Sequence, residues 1–110
     1  MVTIRKIDTI HDYNEFINHG NTINIVKISA EWCGPCKVLG SEITSMDLSN
    51  LSDVRFAEID ADNEDFDAVC TELNVRGVPV LAYFKDGNLI EKTAGLVKKD
   101  EILSKIETLR

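Results

Sequence analysis

Trp32-Cys33-Gly34-Pro35-Cys36-Lys37 follows directly on an apolar run, Ile23, Ile25, Val26 and Ile28, and the reading of that junction decides the rest of the chain. The run fits a central strand with both faces filled, which puts the first cysteine at the strand's end and the second one turn into a following helix. Residues at that spacing lie on one helix face, so their sulfurs can be joined or parted with little backbone movement. In the loop-entropy model a ring this small gains only about 2 kcal/mol from cross-linking, against about 4.7 for a hundred-residue loop. Such a bond adds little to folding and is easily reduced.

The surrounding residue types agree with a redox pair. Cys33 would stand at the helix start, where unpaired backbone N–H groups and the positive end of the dipole favour a thiolate. Cys36, one turn deeper, would be the resolving partner. Pro35 suits the first helical turn because its missing N–H would have been unpaired anyway, and Gly34 allows close approach of a second chain's sulfur. The alternatives are half a zinc site or a bare structural disulfide. Zinc normally takes four ligands, and Cys70, His11 and His19 do not lie at ligand spacing from one another. No metal and no cofactor are expected.

A chain of 110 residues, 44% of them hydrophobic, suffices for one domain with a real core. Its net charge of −7 argues against nucleic acid or an anionic membrane as a partner held by a general electrostatic field. The first residues, Met1 to Asp8, hold no apolar segment of signal-peptide length, and three cysteines, two of them in Cys-X-X-Cys, are not a secreted disulfide framework. The expectation is a soluble protein of a reducing compartment, most simply the cytoplasm.

Alternation from Val2 to Ile7 predicts a first strand, and Thr9 caps a helix with Ile10, Tyr13, Phe16 and Ile17 on one face, ended by Gly20. Thr22 to Ala30 is the central strand. The helix opened by Cys33 carries Val38, Leu39, Ile43, Met46 and Leu48 on approximately helical spacing. Val54 to Ile59 forms the next strand, and Asp60 to Glu64 reads as a solvated acidic turn. A helix from Asp65 puts Phe66, Val69, Cys70 and Leu73 on one buried face; Cys70 reads as a small core hydrophobe, with a regulatory thiol as the alternative. Val80 to Phe84 and Leu89 to Thr93 make a hairpin around Asp86-Gly87, and Lys99 to Leu109 a closing helix. This order implies parallel strands joined by crossovers, an antiparallel edge and helices on both faces of the sheet.

Ala30-Glu31-Trp32-Cys33-Gly34-Pro35-Cys36-Lys37 resembles the active-site segment of the thioredoxin family. Arg76-Gly77-Val78-Pro79 is similar to the loop that carries the family's cis-proline, Phe84-Lys85-Asp86-Gly87 to its hairpin, and Gly95-Leu96 to the glycine corner near the active site. The resemblance runs essentially end to end. It implies an α/β thioredoxin fold, a central mixed five-stranded sheet flanked by four helices, in a single domain over residues 1–110. It also implies a thiol-disulfide oxidoreductase: a monomeric electron carrier that reduces disulfide-containing target proteins and is recharged by thioredoxin reductase or an equivalent. Cys33 would be the nucleophile and Cys36 the resolving thiol. Trp32, Gly34, Pro35 and a cis Pro79 would shape the site. Trp32, Val78, Pro79, Gly95 and Leu96 would bind the target, the Val78 backbone pairing with an extended segment.

Other readings stay open: a thioredoxin-fold binding or scaffold subunit whose thiols are incidental, or a more oxidising, isomerase-like carrier. Gly34-Pro35 between the cysteines resembles the reducing branch. The chain also departs from the family pattern. Gly40-Ser41 stands where a proline usually kinks the helix, and Val80 replaces the threonine common after the cis-proline, a change expected to alter target preference. An acidic residue that takes the resolving thiol's proton is typical of the family at the place of Lys27, and in many bacterial relatives a lysine occupies the place of Glu58. The expectation is therefore a charge-swapped pair, in which Glu58 or a neutralised Lys27 relays the proton from Cys36. A charged Lys27 would also favour the thiolates and make the carrier somewhat more oxidising. The alternative is that Lys27 snorkels outward and leaves the cysteines untouched.

Overall fold

All seven residues of one strand, β2 (Ile23–Ser29), are buried, and the sheet is built outward from it. The computed structural model describes residues 1–110. Around β2 the chain runs β1 (Ile4–Lys6), α1 (Ile10–Ile17), β2, α2 (Gly34–Thr44), β3 (Val54–Asp60), a 3-10 turn over Glu64–Phe66, α3 (Asp67–Glu72), β4 (Val80–Lys85), β5 (Asn88–Ala94) and α4 (Lys99–Leu109). The strands lie in the order β1-β3-β2-β4-β5. β1 and β2 each pair parallel with β3, whereas β4 runs antiparallel to both β2 and β5. This is the mixed five-stranded sheet with four helices expected from the sequence.

Alternation along β2 decides what covers each face. Val26 and Ile28 join Tyr13 and Phe16 of α1 and Phe66 and Val69 near α3 in one core. Ile23 and Ile25 join Leu39 and Ile43 of α2 and Ile102 and Ile106 of α4 in the other. Each such side chain contributes about 1.5–3 kcal/mol when fully buried, so β2 is held rigidly from both sides. By the same period Lys27 and Ser29 point toward the α2 side.

Several boundaries differ from the expectation, for local reasons. α1 ends at Ile17 rather than Gly20, because the Asn18 side-chain amide turns back to the Asn14 carbonyl and Asn21 takes a positive φ of 62°. α2 stops at Thr44: the Thr44 and Ser45 hydroxyls donate to the carbonyls of Ser41 and Glu42, competing with the next helical turn. Its inner stripe is Cys36, Leu39 and Ile43. Val38, expected among them, faces outward, and Leu48 lies exposed beyond the helix end. Asp86 and Gly87 both have positive φ, as a two-residue hairpin turn requires, and a Cβ on Gly87 would collide with the Asn18 side chain.

Both tyrosines of the chain, Tyr13 and Tyr83, are buried. Burial pushes both phenols well above their usual range, with Glu72 adding to the effect at Tyr13 and Glu91 at Tyr83. The neutral phenol is the form the fold favours, so this contribution is fully present below the unfolded value of about 10 and is lost as pH rises beyond it. Tm should therefore fall above about pH 10, and phenolate absorbance should appear only together with unfolding. Phenolate absorbance in a still-folded protein would contradict the burial.

Candidate active site

The strand-to-helix junction supplies the site's first sulfur. Cys33 is the N-cap of α2, in extended backbone (φ −93°, ψ 108°), and its Sγ accepts the Cys36 backbone N–H at 3.1 Å. A cysteine at this position does what serine or aspartate does at other N-caps, but its sulfur becomes an anion when reduced and deprotonated. The same N–H and the helix dipole then stabilise that charge. Pro35 sits in the first turn, where no N–H is needed. Cys33 and Cys36 are joined as a disulfide, with Cα atoms 5.3 Å apart, so the oxidised form is seen here. Cys33 is 4% exposed and Cys36 1%. Access therefore favours Cys33, through the opening that the exposed Gly34 and Pro35 leave.

The far wall of the site comes from the segment before β4. The Val78–Pro79 peptide bond is cis, and the Val78 carbonyl oxygen lies 3.9 Å from Cys33 Sγ. Val78 precedes the first residue of β4, and neither its N–H nor its carbonyl takes a backbone partner. Both are free for an incoming strand. Gly95, at φ +86°, donates its N–H to the Pro79 carbonyl at 2.8 Å, which brings the β5 end beside the proline. Trp32, 73% exposed, and Leu96, 48% exposed, add apolar surface. Val80, by contrast, is buried in the α1–α3 core, so its replacement of a threonine presents no side chain to a target.

Lys27 does not snorkel. Its side chain is 5% exposed, and Nζ donates to Glu58 Oε2 at 2.6 Å and to Ser29 Oγ at 3.2 Å. The parallel register that sets Lys27 opposite Glu58 creates this pair. A Cβ built on Gly40 would stand 3.5 Å from Lys27 Nζ, and Gly40 lies one turn beyond Cys36 on the same face of α2. The ammonium thus sits beneath the helix that carries the dithiol, beside a small polar cavity that Lys6, Lys37 and Asp60 also line.

Two features were not anticipated. The acidic turn after β3 is not merely solvated, because Asp62 accepts the Trp32 indole N–H at 2.7 Å and fixes the ring beside Cys33. The register held a signal for this: Ser29 pairs with Asp60, so the chains leaving β2 and β3 emerge side by side. Cys70 is only half-buried, at the margin of the α1–α3 core, and it lines a cleft with Trp32, Val75 and Val78. Burial, then the Asp67 carboxylate, pushes its thiol up. Reduced protein treated with limiting iodoacetamide at neutral pH should therefore be labelled on Cys33 well before Cys70. Peptide mapping that found Cys70 labelled first would contradict this.

A family model described as Thioredoxin matches residues 5–108. The chain is 37% identical over 98 residues to Thioredoxin H2 of Arabidopsis thaliana, a match covering 89% of this chain and 70% of that protein. It is 32% identical over 98 residues to a thioredoxin of Chlamydia caviae, covering 89% and 91%. Its fold superimposes on the oxidized form of mitochondrial Thioredoxin 3 from Saccharomyces cerevisiae with a TM-score of 0.79 at 27% identity, covering 96% of this chain and 94% of that one.

Proposed function

This chain belongs to the thioredoxin family and is a thiol-disulfide oxidoreductase, a protein-disulfide reductase for disulfide-containing proteins; on that premise we propose that Cys33 attacks the target and Cys36 resolves the product. The observation that carries the assignment is the Cys36 N–H directed at Cys33 Sγ, together with the greater access to Cys33. The Cys33 thiolate attacks one sulfur of the target disulfide, and the target's other sulfur leaves as a thiolate and takes a proton from solvent. Cys36 then loses its proton and attacks Cys33 Sγ, the mixed disulfide breaks, and the second target thiolate departs. Two electrons and two protons pass to the target, and the Cys33–Cys36 disulfide forms.

In this reading Trp32, Gly34, Pro35 and Pro79 shape the site. Trp32, Val78, Pro79, Gly95 and Leu96 receive the target, with Val78 pairing along its backbone. Lys27 and Glu58 relay the Cys36 proton: the Glu58 carboxylate, held against the ammonium, lines the polar cavity beside Lys27 and is itself partly exposed, so it can pass a proton on to solvent. We take residues 1–110 as a single domain acting as a monomeric electron carrier in the cytoplasm, recharged by thioredoxin reductase or an equivalent. No helix is long and apolar enough to cross a membrane. The test is catalytic reduction of a protein disulfide with dithiothreitol as the electron source. Turnover well above the dithiothreitol background supports the carrier, whereas no turnover by the folded protein points to a scaffold subunit with incidental thiols. A reduction potential measured against glutathione separates a reductase from an isomerase-like carrier.

A further inference from the structure

The loop Arg76–Val78 separates two clefts of different chemistry. On one side Trp32, Cys70 and Val75 make a mainly apolar surface. On the other, a groove runs past Pro79 to the end of β5, lined by Arg76, Lys92 and Asn74 among small and apolar residues, with no carboxylate in it. Arg76 and Lys92 take part in none of the chain's salt bridges, which join His11 with Glu15, Lys27 with Glu58, Lys105 with Glu91, and Arg110 with both Asp53 and Glu107. Most Lys and Arg side chains of the chain form no salt bridge; these two differ in lining, together and without a carboxylate, a groove beside the cis-proline loop.

Both cations are held in place without being neutralised. Lys92 Nζ donates to the carbonyl oxygens of Leu73 and Asn74, at 2.9 and 3.4 Å, where α3 ends. Arg76 Nε donates to Asn74 Oδ1 at 3.3 Å, which turns the guanidinium and leaves both Nη groups without a protein partner. A planar donor fork of this kind matches a carboxylate. We propose that this groove is a specificity subsite that accepts an acidic side chain flanking the target's reactive cystine, with Arg76 as the contacting group and Lys92 as the fixed charge behind it. The proposal rests on the reading of Cys33 and Val78 as the attack and docking points, since a segment paired with Val78 carries its neighbouring side chains past the groove.

The test uses four synthetic disulfide peptides that differ only at the cystine's flanks: Glu on the amino side, Glu on the carboxyl side, Lys on both, or Gln on both. Wild type should reduce one Glu peptide with kcat/KM about fivefold above the Gln peptide, the upper end for an exposed ion pair, and the ratio should shrink as salt is raised. Arg76→Gln should bring that ratio to about one. Arg76→Glu should invert it and favour a Lys-flanked peptide. Because each variant is judged by a ratio between its own substrates, a general change in activity cancels. A wild-type ratio of one for both Glu peptides, or a preference that survives Arg76→Gln, overturns the subsite. Failure of wild type to reduce even uncharged hydroxyethyl disulfide would instead overturn the reductase reading beneath it.

Discussion

Cys36→Ser should turn the protein from a catalyst into a trap, leaving a target covalently attached through Cys33 after a single attack. Cys33→Ser should abolish turnover, by at least about a thousandfold, since the remaining thiols are poorly placed to attack: Cys36 is almost fully buried, and burial pushes the Cys70 thiol up. The asymmetry follows from the helix start. Cys33 occupies the N-cap, receives the Cys36 N–H and is slightly the less buried residue of the pair, whereas Cys36 lies on the inner stripe of α2 with Leu39 and Ile43. Mass spectrometry of each variant incubated with an oxidised protein would show a dithiothreitol-sensitive adduct in Cys36→Ser and little or none in Cys33→Ser. Equal adducts in both would mean that either sulfur can attack, and the assigned roles would fail. In the reduced protein neither change removes a cross-link, and relative to the oxidised protein the ring that is lost is worth only about 2 kcal/mol.

What the sequence disclosed depended on which physical rule was local. The dithiol at the strand–helix junction, the Asp86-Gly87 turn and the amphipathic α4 follow from spacing within a few residues, and they lie where expected. Val38 was misplaced because helical spacing shows that an apolar stripe exists but not how wide it is, and the stripe of α2 is narrow. The split of the third helix into a 3-10 turn and α3 arises from the Asn63 side chain, which accepts the Asp65 N–H and caps the short turn first. The Asp62–Trp32 bond and the pairing of Arg76 with Lys92 along one groove depend on which segments the sheet brings side by side. That is a property of strand order rather than of any window of sequence.

Glu58→Gln should destabilise the protein more than Lys27→Met, although each removes one member of the same ion pair. The two partners are not equally solvated: the Lys27 side chain is 5% exposed and that of Glu58 29%. Removing the carboxylate leaves a buried ammonium with only the Ser29 hydroxyl and a neutral amide to accept its protons. Breaking a buried pair from one side costs about 3–5 kcal/mol, and these two remaining acceptors put Glu58→Gln near the lower end. Removing the ammonium leaves a carboxylate that can hydrate toward the adjoining polar cavity, while methionine fills much of the vacated stem, so Lys27→Met should cost about 1 kcal/mol or less. Urea unfolding of the reduced proteins measures both. The reverse order would mean that packing of the lysine stem, not its charge, holds the site. The same variants test the proton relay, because the ammonium lies against Gly40, one helical turn beyond Cys36 on the same face of α2. If the pair handles the Cys36 proton, the pH dependence of mixed-disulfide resolution should shift in both variants, whereas the initial attack by Cys33 should shift less. Unchanged resolution profiles in both would reduce Lys27–Glu58 to a structural ion pair and leave Cys36 to lose its proton directly to solvent.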